Sequence, residues 1–175
     1  MNPVTEAIEN DSIAMLKKLQ SQGVDLQKPI IIGEEYDLEE YDEISPLFYA
    51  IRKQASLELI EFLIDAGADL LAVDDDGISA LDTAIKFKRK DVVKLCIERG
   101  ADLNATGRKS GILPVMLAAC FSDTELMQLL LDAGADINAV DKSGMSALDY
   151  ARKLGQKKMV EYLKERGAKH HAYRD

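Results

Sequence analysis

The stretch "LIDAGADLLAVDDDGISALDTAI", from Leu63 to Ile85, joins two apolar runs through a Gly-Ala-Asp phrase, three successive aspartates and a glycine. The Gly-Ala step recurs along the chain. Its glycines lie 33, 34 and 33 residues apart, at Gly67, Gly100, Gly134 and Gly167. A fixed period of this length is typical of stacked structural repeats. Gly23 precedes Gly67 by 44 residues, which corresponds to one period plus an insertion of 11 residues.

Each period contains two helical patterns. Residues 79–100 show them clearly, because apolar residues with i, i+3 and i+4 spacing occur at 81–85 and again at 92–96. Ser79 is a residue type that caps the start of a helix through its hydroxyl. Gly100 is the residue type that follows a helix end in a left-handed conformation. The pattern predicts a unit made of helix, turn, helix and loop.

The aspartate run from Asp74 to Gly77 allows two interpretations, a calcium loop or a turn. Two periods later the loop reads Asp141-Lys142-Ser143-Gly144, so only the first aspartate and the glycine recur. Those two residues are what a turn needs, because aspartate bonds to its own backbone and glycine supplies a positive φ. Calcium loops alternate oxygen ligands and close with a distant glutamate. The pattern therefore favours a turn, and no metal site is predicted.

The composition limits the class of protein. The apolar content of 47% suffices for a continuous core, and no apolar run reaches the ~20 residues that span a bilayer. The N-terminal residues 1–6 lack the basic and apolar regions of a secretory signal. Cys96 and Cys120 lie far apart and form no C-x-x-C pair, which predicts two reduced thiols and a cytoplasmic location.

Charge is unevenly distributed. The net charge of −9 divides into −13 for residues 1–76 and +4 for residues 77–175. This acidic balance argues against nucleic-acid binding, which needs a basic surface. The insertion "PIIIGEEYDLEEYDE" at 29–43 contains seven acids and no base. Its isoleucines and tyrosines favour an elongated hairpin, and a disordered acidic loop is the alternative. We call the following residues the acidic finger: Glu34, Glu35, Tyr36, Asp37, Glu39, Glu40 and Tyr41.

Two phrases identify a resemblance to a known family. One reads "SPLFYA" at 45–50, "SALDTA" at 79–84, "LPVMLA" at 113–118 and "SALDYA" at 146–151. The other, G-A-D-[IL]-N-A, stands at 100–105 and again at 134–139. The chain therefore resembles the ankyrin-repeat family, whose period is about 33 residues and whose signature is T-P-L-H-x-A. The family histidine is missing from every repeat, and Leu113 lacks the capping hydroxyl, which puts the usual hydrogen bonds between repeats in doubt.

The resemblance implies an all-α ankyrin-repeat solenoid of stacked helix-turn-helix units, joined by short β-hairpin-like loops. About five repeats are expected within a single domain, 1–175. Their expected spans are an N-terminal cap at 2–27, the insertion at 28–43, units at 44–76, 77–110 and 111–143, and a C-terminal cap at 144–175. Asn2 and Pro3 suit the first two positions of the first helix. Polar caps at both ends are what a complete protein of this type would have.

No catalytic constellation is predicted. The chain contains no G-x-S-x-G, Walker A or G-x-G-x-x-G phrase, and no nucleophile is paired with a base. His170 and His171 are adjacent and are expected to be solvated in the tail. Cys96 is expected in the core, and Cys120 on a groove-facing position of a first helix. The prediction is a protein without enzymatic activity or cofactor.

The family resemblance also implies a partner-binding surface. Ankyrin proteins bind partners through a concave face made of first helices and loop tips. Apolar residues follow the loop glycine or end the first helices, and packing against the next repeat is the alternative interpretation. Ile78, Ile112 and Met145 follow the glycine, Ile44 has the matching place in the second unit, and Phe87, Phe121 and Leu154 end first helices. Charged residues at the loop tips are Asp75, Asp76, Arg108, Lys109 and Lys142, and Lys86, Arg152 and Lys153 lie near the first helices.

Together these patterns predict a monomeric protein-interaction module, acting as an adaptor, inhibitor or accessory factor. The acidic finger is expected to dock a basic surface of a protein partner, and no contact with nucleic acid or membrane is expected. The alternative is an accessory factor that handles a metal or small cofactor for a partner enzyme.

Overall fold

The computed structural model describes residues 2–32 and 42–171. Within them it contains five pairs of α-helices, and in each pair the first helix has seven residues and the second has nine. The bounds are α1 Pro3–Glu9, α2 Ile13–Ser21, α3 Pro46–Arg52, α4 Leu57–Asp65, α5 Ala80–Lys86, α6 Lys90–Glu98, α7 Pro114–Cys120, α8 Thr124–Asp132, α9 Ala147–Lys153 and α10 Lys157–Glu165. One helix pair falls within each predicted repeat.

The chain forms two compact units, Met1–Leu70 and Leu71–Asp175. The N-terminal unit holds α1 to α4 and a two-stranded sheet, and the C-terminal unit holds α5 to α10. The assignment of 1–175 to a single domain stays a prediction. No described helix has the length and apolar character needed to cross a membrane.

Helix starts follow from local sequence. The Asn2 carboxamide oxygen accepts from the amide of Val4 at 2.8 Å, and Pro3 is the first helical residue, as predicted. Ser79 also caps its helix, because its hydroxyl accepts from the Asp82 amide at 3.0 Å. Helix α7 starts at Pro114 without a side-chain oxygen cap, and proline has no N–H to leave unpaired at this position.

The core of the C-terminal unit lies between two helix layers. Helix α7 packs against both α5 and α9, and we call these three the first-helix layer. Helices α6, α8 and α10 form the second-helix layer, in which α6 packs against α8. Ile85, Met116 and Leu126 are fully buried between the layers. Cys96 is also fully buried, which confirms its predicted place in the core.

Asparagine side chains link successive repeats in the C-terminal unit. The Asn104 carboxamide donates to the Gly134 carbonyl at 3.1 Å and accepts from the Asp136 amide at 2.8 Å. One repeat later, the Asn138 carboxamide oxygen accepts from the Lys169 amide at 2.8 Å. Both asparagines occupy the same place in the G-A-D-[IL]-N-A phrase. These bonds connect neighbouring repeats without the family histidine.

The two ends of the insertion pair with each other as the strands of one hairpin. Strand β1 (Ile30–Ile32) pairs antiparallel with β2 (Asp42–Ile44), and Ile30 lies opposite Ile44. Ile30 is buried, so the strand is anchored in the N-terminal unit. The predicted hairpin stem is therefore present. The acidic finger, Glu34, Glu35, Tyr36, Asp37, Glu39, Glu40 and Tyr41, lies outside the described residues.

Candidate protein-interaction surface

The loops that precede the first helices are built on aspartate turns. Asp74 Oδ1 accepts from the amides two and four residues later, at 3.0 and 2.8 Å. Asp141 Oδ1 accepts from the equivalent two amides at 2.8 and 3.0 Å. Gly77 and Gly144 close these loops with φ of 75° and 76°. The prediction of a turn at both loops is confirmed.

Adjacent loops in the C-terminal unit touch each other. Lys142 donates its amide to the Ser110 carbonyl at 3.1 Å. Gly77 lies so close to the next loop that a Cβ added to it would stand 2.0 Å from the Gly107 carbonyl oxygen. The three loop tips, at 74–77, 107–111 and 141–144, therefore form a row beside the first-helix layer.

Arg108, predicted as a partner-binding charge at a loop tip, makes a contact between repeats. Its Nε donates to Asp82 Oδ2 at 3.1 Å, and Asp82 is only 4% exposed. Asp82 stands where the family phrase has histidine. The buried Asp82 carboxylate attracts the guanidinium, so part of the Arg108 side chain is engaged within the protein, and its contact with a partner stays a prediction. The amide of Arg108 is also held, since it donates to the Thr106 hydroxyl at 3.1 Å.

Asp149, two repeats after Asp82, is held in a similar arrangement. Asp149 is 0% exposed, and Oδ2 accepts from the amide and the hydroxyl of Ser146, both at 2.8 Å. His170 Nδ1 lies 3.5 Å from Asp149 Oδ1, and the His171 amide donates to Oδ2 at 3.2 Å. The expectation of a solvated tail is wrong for the His170 side chain, which Asp149 attracts, whereas the His171 side chain is exposed as expected and only its amide is bound.

The predicted apolar contact residues remain partly accessible. In the C-terminal unit they occupy two repeating positions, one after the loop glycine and one at the residue that ends each first helix. The half-buried members are Ile78, Phe87, Ile112, Phe121 and Met145, and Leu154 is 51% exposed. Ile44, in the N-terminal unit, is also half-buried.

Apart from Asp74, Asp75 and Asp76, which are exposed on the loop just before Ile78, the exposed charges around the apolar residues of the C-terminal unit have one sign. Within 77–89, 107–122 and 140–155, every exposed charged residue is basic, and we call this set the basic face: Lys86, Lys88, Lys109, Lys142, Arg152 and Lys153. The three acids in these ranges, Asp82, Asp141 and Asp149, are buried. Asp75 and Asp76 are exposed on the loop that precedes the basic face.

The second-helix layer differs, because acidic and basic side chains both occur there. Lys90 of α6 pairs with Glu125 of α8, and Arg166, which follows α10, donates to the Gln128 carboxamide oxygen of α8 at 3.0 Å. A shallow, open depression of about 250 Å³ on this layer is lined by Lys90, Lys94, Glu125, Gln128 and Leu129. Lys90 and Glu125 pair with each other, and Gln128 bonds to Tyr162 and Arg166.

Neither cysteine is activated for chemistry. Burial, together with the nearby Asp82 carboxylate, raises the pKa of Cys96 to about 12. Burial also raises the pKa of Cys120, which is half-buried as a groove-facing residue would be. Both thiols are thus protonated near neutral pH. Among the described residues, no group of three or more His, Cys, Asp and Glu side chains is placed to hold a metal ion.

The chain belongs to the ankyrin-repeat family. The family model described as "Ankyrin repeats (3 copies)" matches residues 4–107 and 105–174. This agrees with the all-α repeat fold predicted from the sequence. Ankyrin repeats are generally modules for protein interaction and generally lack enzymatic activity.

Two relatives share parts of this sequence. An L-asparaginase of Dirofilaria immitis is 31% identical over 162 residues, which cover 93% of this chain and 25% of that protein. A Fowlpox virus (strain NVSL) protein named for its ankyrin repeats is 31% identical over 68 residues, which cover 38% of this chain and 16% of that protein. This chain thus spans a quarter or less of each relative.

Proposed function

We propose that this protein is a non-catalytic adaptor, inhibitor or accessory factor that binds a protein partner. Its binding surface comprises the first-helix layer and loop tips of the C-terminal unit, with the acidic finger as a second contact. The observation that carries the proposal is the series of partly exposed apolar side chains at two repeating positions, 78, 112 and 145, and 87, 121 and 154.

Partial exposure makes these side chains suitable for binding. Each retains apolar surface that contacts within the chain do not cover, and removing such surface from water stabilises a complex by roughly 25 cal/mol per Å². Their positions recur with the repeat period, so neighbouring first helices present them side by side. Contiguous apolar surface of this kind marks interaction sites on soluble proteins.

The test uses a purified partner, obtained first by affinity capture with the intact chain and then produced separately. We expect Ile112→Lys with Phe121→Lys to weaken partner binding by at least about tenfold in calorimetry, because two half-buried contacts are lost. The matched control is Leu129→Lys with Val160→Lys, which places the same charge on half-buried positions of the second-helix layer. Equal affinities for the two doubly substituted chains, both folded by circular dichroism, would contradict the proposed surface.

The acidic finger is proposed to dock a basic surface of the partner. The insertion at 29–43 supplies a charge of −7, which would accelerate association with a positively charged site. Replacing residues 34–41 by a two-residue Asn-Gly turn keeps both strands of the hairpin. We expect a slower association rate and an unchanged melting temperature. A chain that unfolds on this replacement, or that associates at the original rate, would contradict this role.

We also propose that the protein is a monomer and is located in the cytoplasm. Cys96 and Cys120 are both free thiols, which is the usual state in a reducing compartment. A head-to-tail contact between the acidic N-terminal part and the basic C-terminal part would not close by two-fold symmetry. Light scattering at physiological salt should therefore give the mass of one chain, 19.3 kDa.

A further inference from the structure

Charge and apolar surface on the C-terminal unit together specify a kind of partner. We infer that the basic face binds an acidic segment of the partner protein in which carboxylates alternate with apolar residues. This inference rests on the proposed function and adds the chemistry of the ligand to it. It concerns the first-helix layer and loop tips, and is separate from the acidic finger.

The first argument is the uniform sign of the exposed charge. Asp82, Asp141 and Asp149 would cancel half of the charge of the face if they were exposed, but each is buried and its carboxylate accepts hydrogen bonds inside the protein. Lys109 and Lys142, at neighbouring loop tips, make no ion pair with the described residues. These two lysines are therefore available to a ligand, whereas Arg152 Nη1 already lies 3.1 Å from His170 Nε2.

The second argument is the alternation of basic and apolar residues. Phe87 stands between two lysines of the basic face, and Leu154 directly follows Lys153. Ile112 follows Lys109 by three residues, and Met145 follows a lysine by the same interval. A ligand that covers this surface must therefore offer apolar side chains between its carboxylates.

The size of the face sets the length of the ligand. Neighbouring helices pack about 8–10 Å apart, so the two steps from α5 through α7 to α9 span roughly 20 Å. An extended chain covers about 3.3 Å per residue, so a segment of roughly six residues crosses the face.

A nucleic acid fits this surface less well than a peptide. The chain carries a net charge of −9, and Asp75 and Asp76 are exposed at the end of the loop row, on the loop that leads into α5. A continuous phosphate backbone that ran along the loop row would meet these carboxylates. A short acidic peptide ends before them and also satisfies the apolar positions.

The binding test uses the full chain and a blocked peptide of about twelve residues, in which Asp and Glu alternate with Leu. We expect the peptide to shift the backbone amide resonances of the loops at 107–112 and 140–145. Its affinity should fall as salt rises from about 0.05 to 0.3 M, because salt screens the contributing charges. An otherwise identical peptide with Asn and Gln should bind at least about tenfold more weakly.

Charge-reversed chains locate the site. Lys109→Glu with Lys142→Glu should weaken peptide binding by at least about tenfold. The matched control, Lys94→Glu with Lys164→Glu, reverses two exposed lysines of the second-helix layer and should change the affinity by less than about twofold. Equal losses in the two variants would overturn the inference, because only net charge would then matter.

Four other results would overturn it. These are no binding of the acidic peptide, equal binding of the amide peptide, tighter binding of a single-stranded oligonucleotide, and self-association of the chain that disappears when residues 34–41 are replaced. The last result would assign the face to a second copy of this protein.

Failure of this inference can be separated from failure of the proposed function. If the substitutions at Ile112 and Phe121 abolish binding of the natural partner and those at Lys109 and Lys142 do not, the surface is correct and its acidic ligand is wrong. If neither pair of substitutions weakens binding of the natural partner, both the proposed surface and its acidic ligand are wrong.

Discussion

Asp82 and Asp149 replace the histidine of the family phrase, and each performs two tasks. The carboxylate accepts from the serine that starts its own helix, at Ser79 N or Ser146 N, 3.2 and 2.8 Å away. It also faces a cationic or ionisable side chain from further along the sequence. A buried carboxylate at this position therefore caps one helix and holds the following segment against it.

Removing the Asp82 carboxylate should be costly. We expect Asp82→Ala to lower the free energy of unfolding by about 3 kcal/mol, because it leaves Arg108 without its buried partner and removes part of a capping box. Urea unfolding at pH 7 measures this. Asp132→Ala, at an exposed site on α8, is the control and should change the value by less than about 0.5 kcal/mol. Similar small effects for both would contradict the double role.

Asp141 predicts a dependence of stability on pH. Burial by itself would raise its pKa, but hydrogen bonds from the Tyr150 hydroxyl at 2.5 Å and from the amides of Met145 and Ser143 lower it below the ordinary value of 3.8. Because the folded pKa is the lower one, this contribution is fully present above about pH 4 and is lost as pH falls through the folded pKa.

We therefore expect Asp141→Asn to be less stable than the natural chain by about 1 kcal/mol at pH 7, with the difference shrinking below about pH 4. Thermal unfolding from pH 7 to pH 3 measures both values. A difference that stayed constant over this range would show that the ionised form of Asp141 carries no special stabilisation.

Local residue patterns were predictable where the interaction is local. The Ser79 cap and the turns at Asp74 and Asp141 depend on groups within four residues, so residue type and spacing suffice. The Arg108 contact could not be found in this way, because its partner is 26 residues away. Only the stacked fold shows that a loop tip lies over a buried carboxylate.

At the scale of elements, the loops are as constrained as the helices. Gly77 and Gly144 have nearly the same φ, but only Gly77 lies against the backbone of another loop. A Cβ at Gly77 would stand 2.0 Å from Gly107 O, whereas nothing lies within 4 Å of one at Gly144. The two positions separate the cost of a left-handed conformation from the cost of a close approach.

We expect Gly144→Ala to lower the free energy of unfolding by about 1 kcal/mol, from backbone strain alone. Gly77→Ala should cost at least about 2 kcal/mol more, because the adjacent loop must also move. Chemical unfolding of both chains gives the comparison. Equal losses of unfolding free energy in the two variants would show that the adjacent loop moves without cost, and that the row of loop tips is not a rigid element.

Helix pairs and their limits were predictable because the repeat period, the serine caps and the terminal glycines agree. The hairpin stem at Ile30 and Ile44 was also predictable from the sequence, since isoleucines flank the acidic stretch. The contact between His170 and Asp149 was not predictable, because nothing in the sequence around His170 indicates that it lies beside this buried carboxylate.

At the scale of the whole molecule, the sequence alone selects the residues of the proposed interaction surface but not the sign of the exposed charge around them. Family resemblance selects the loop tips and first helices, and the structure leaves the apolar residues there partly accessible. The basic character of the face could not be obtained by counting charges, because it depends on which acids are buried. Asp82, Asp141 and Asp149 would have cancelled half of its charge.

Hydrogen–deuterium exchange of this chain, alone and saturated with the captured partner, tests most directly whether a protein binds the first-helix layer and its loops. We predict slower exchange on binding at 107–122 and 140–155, with little change in α6, α8 and α10. Slower exchange confined to the second-helix layer, with unchanged loops and first helices, would contradict the account.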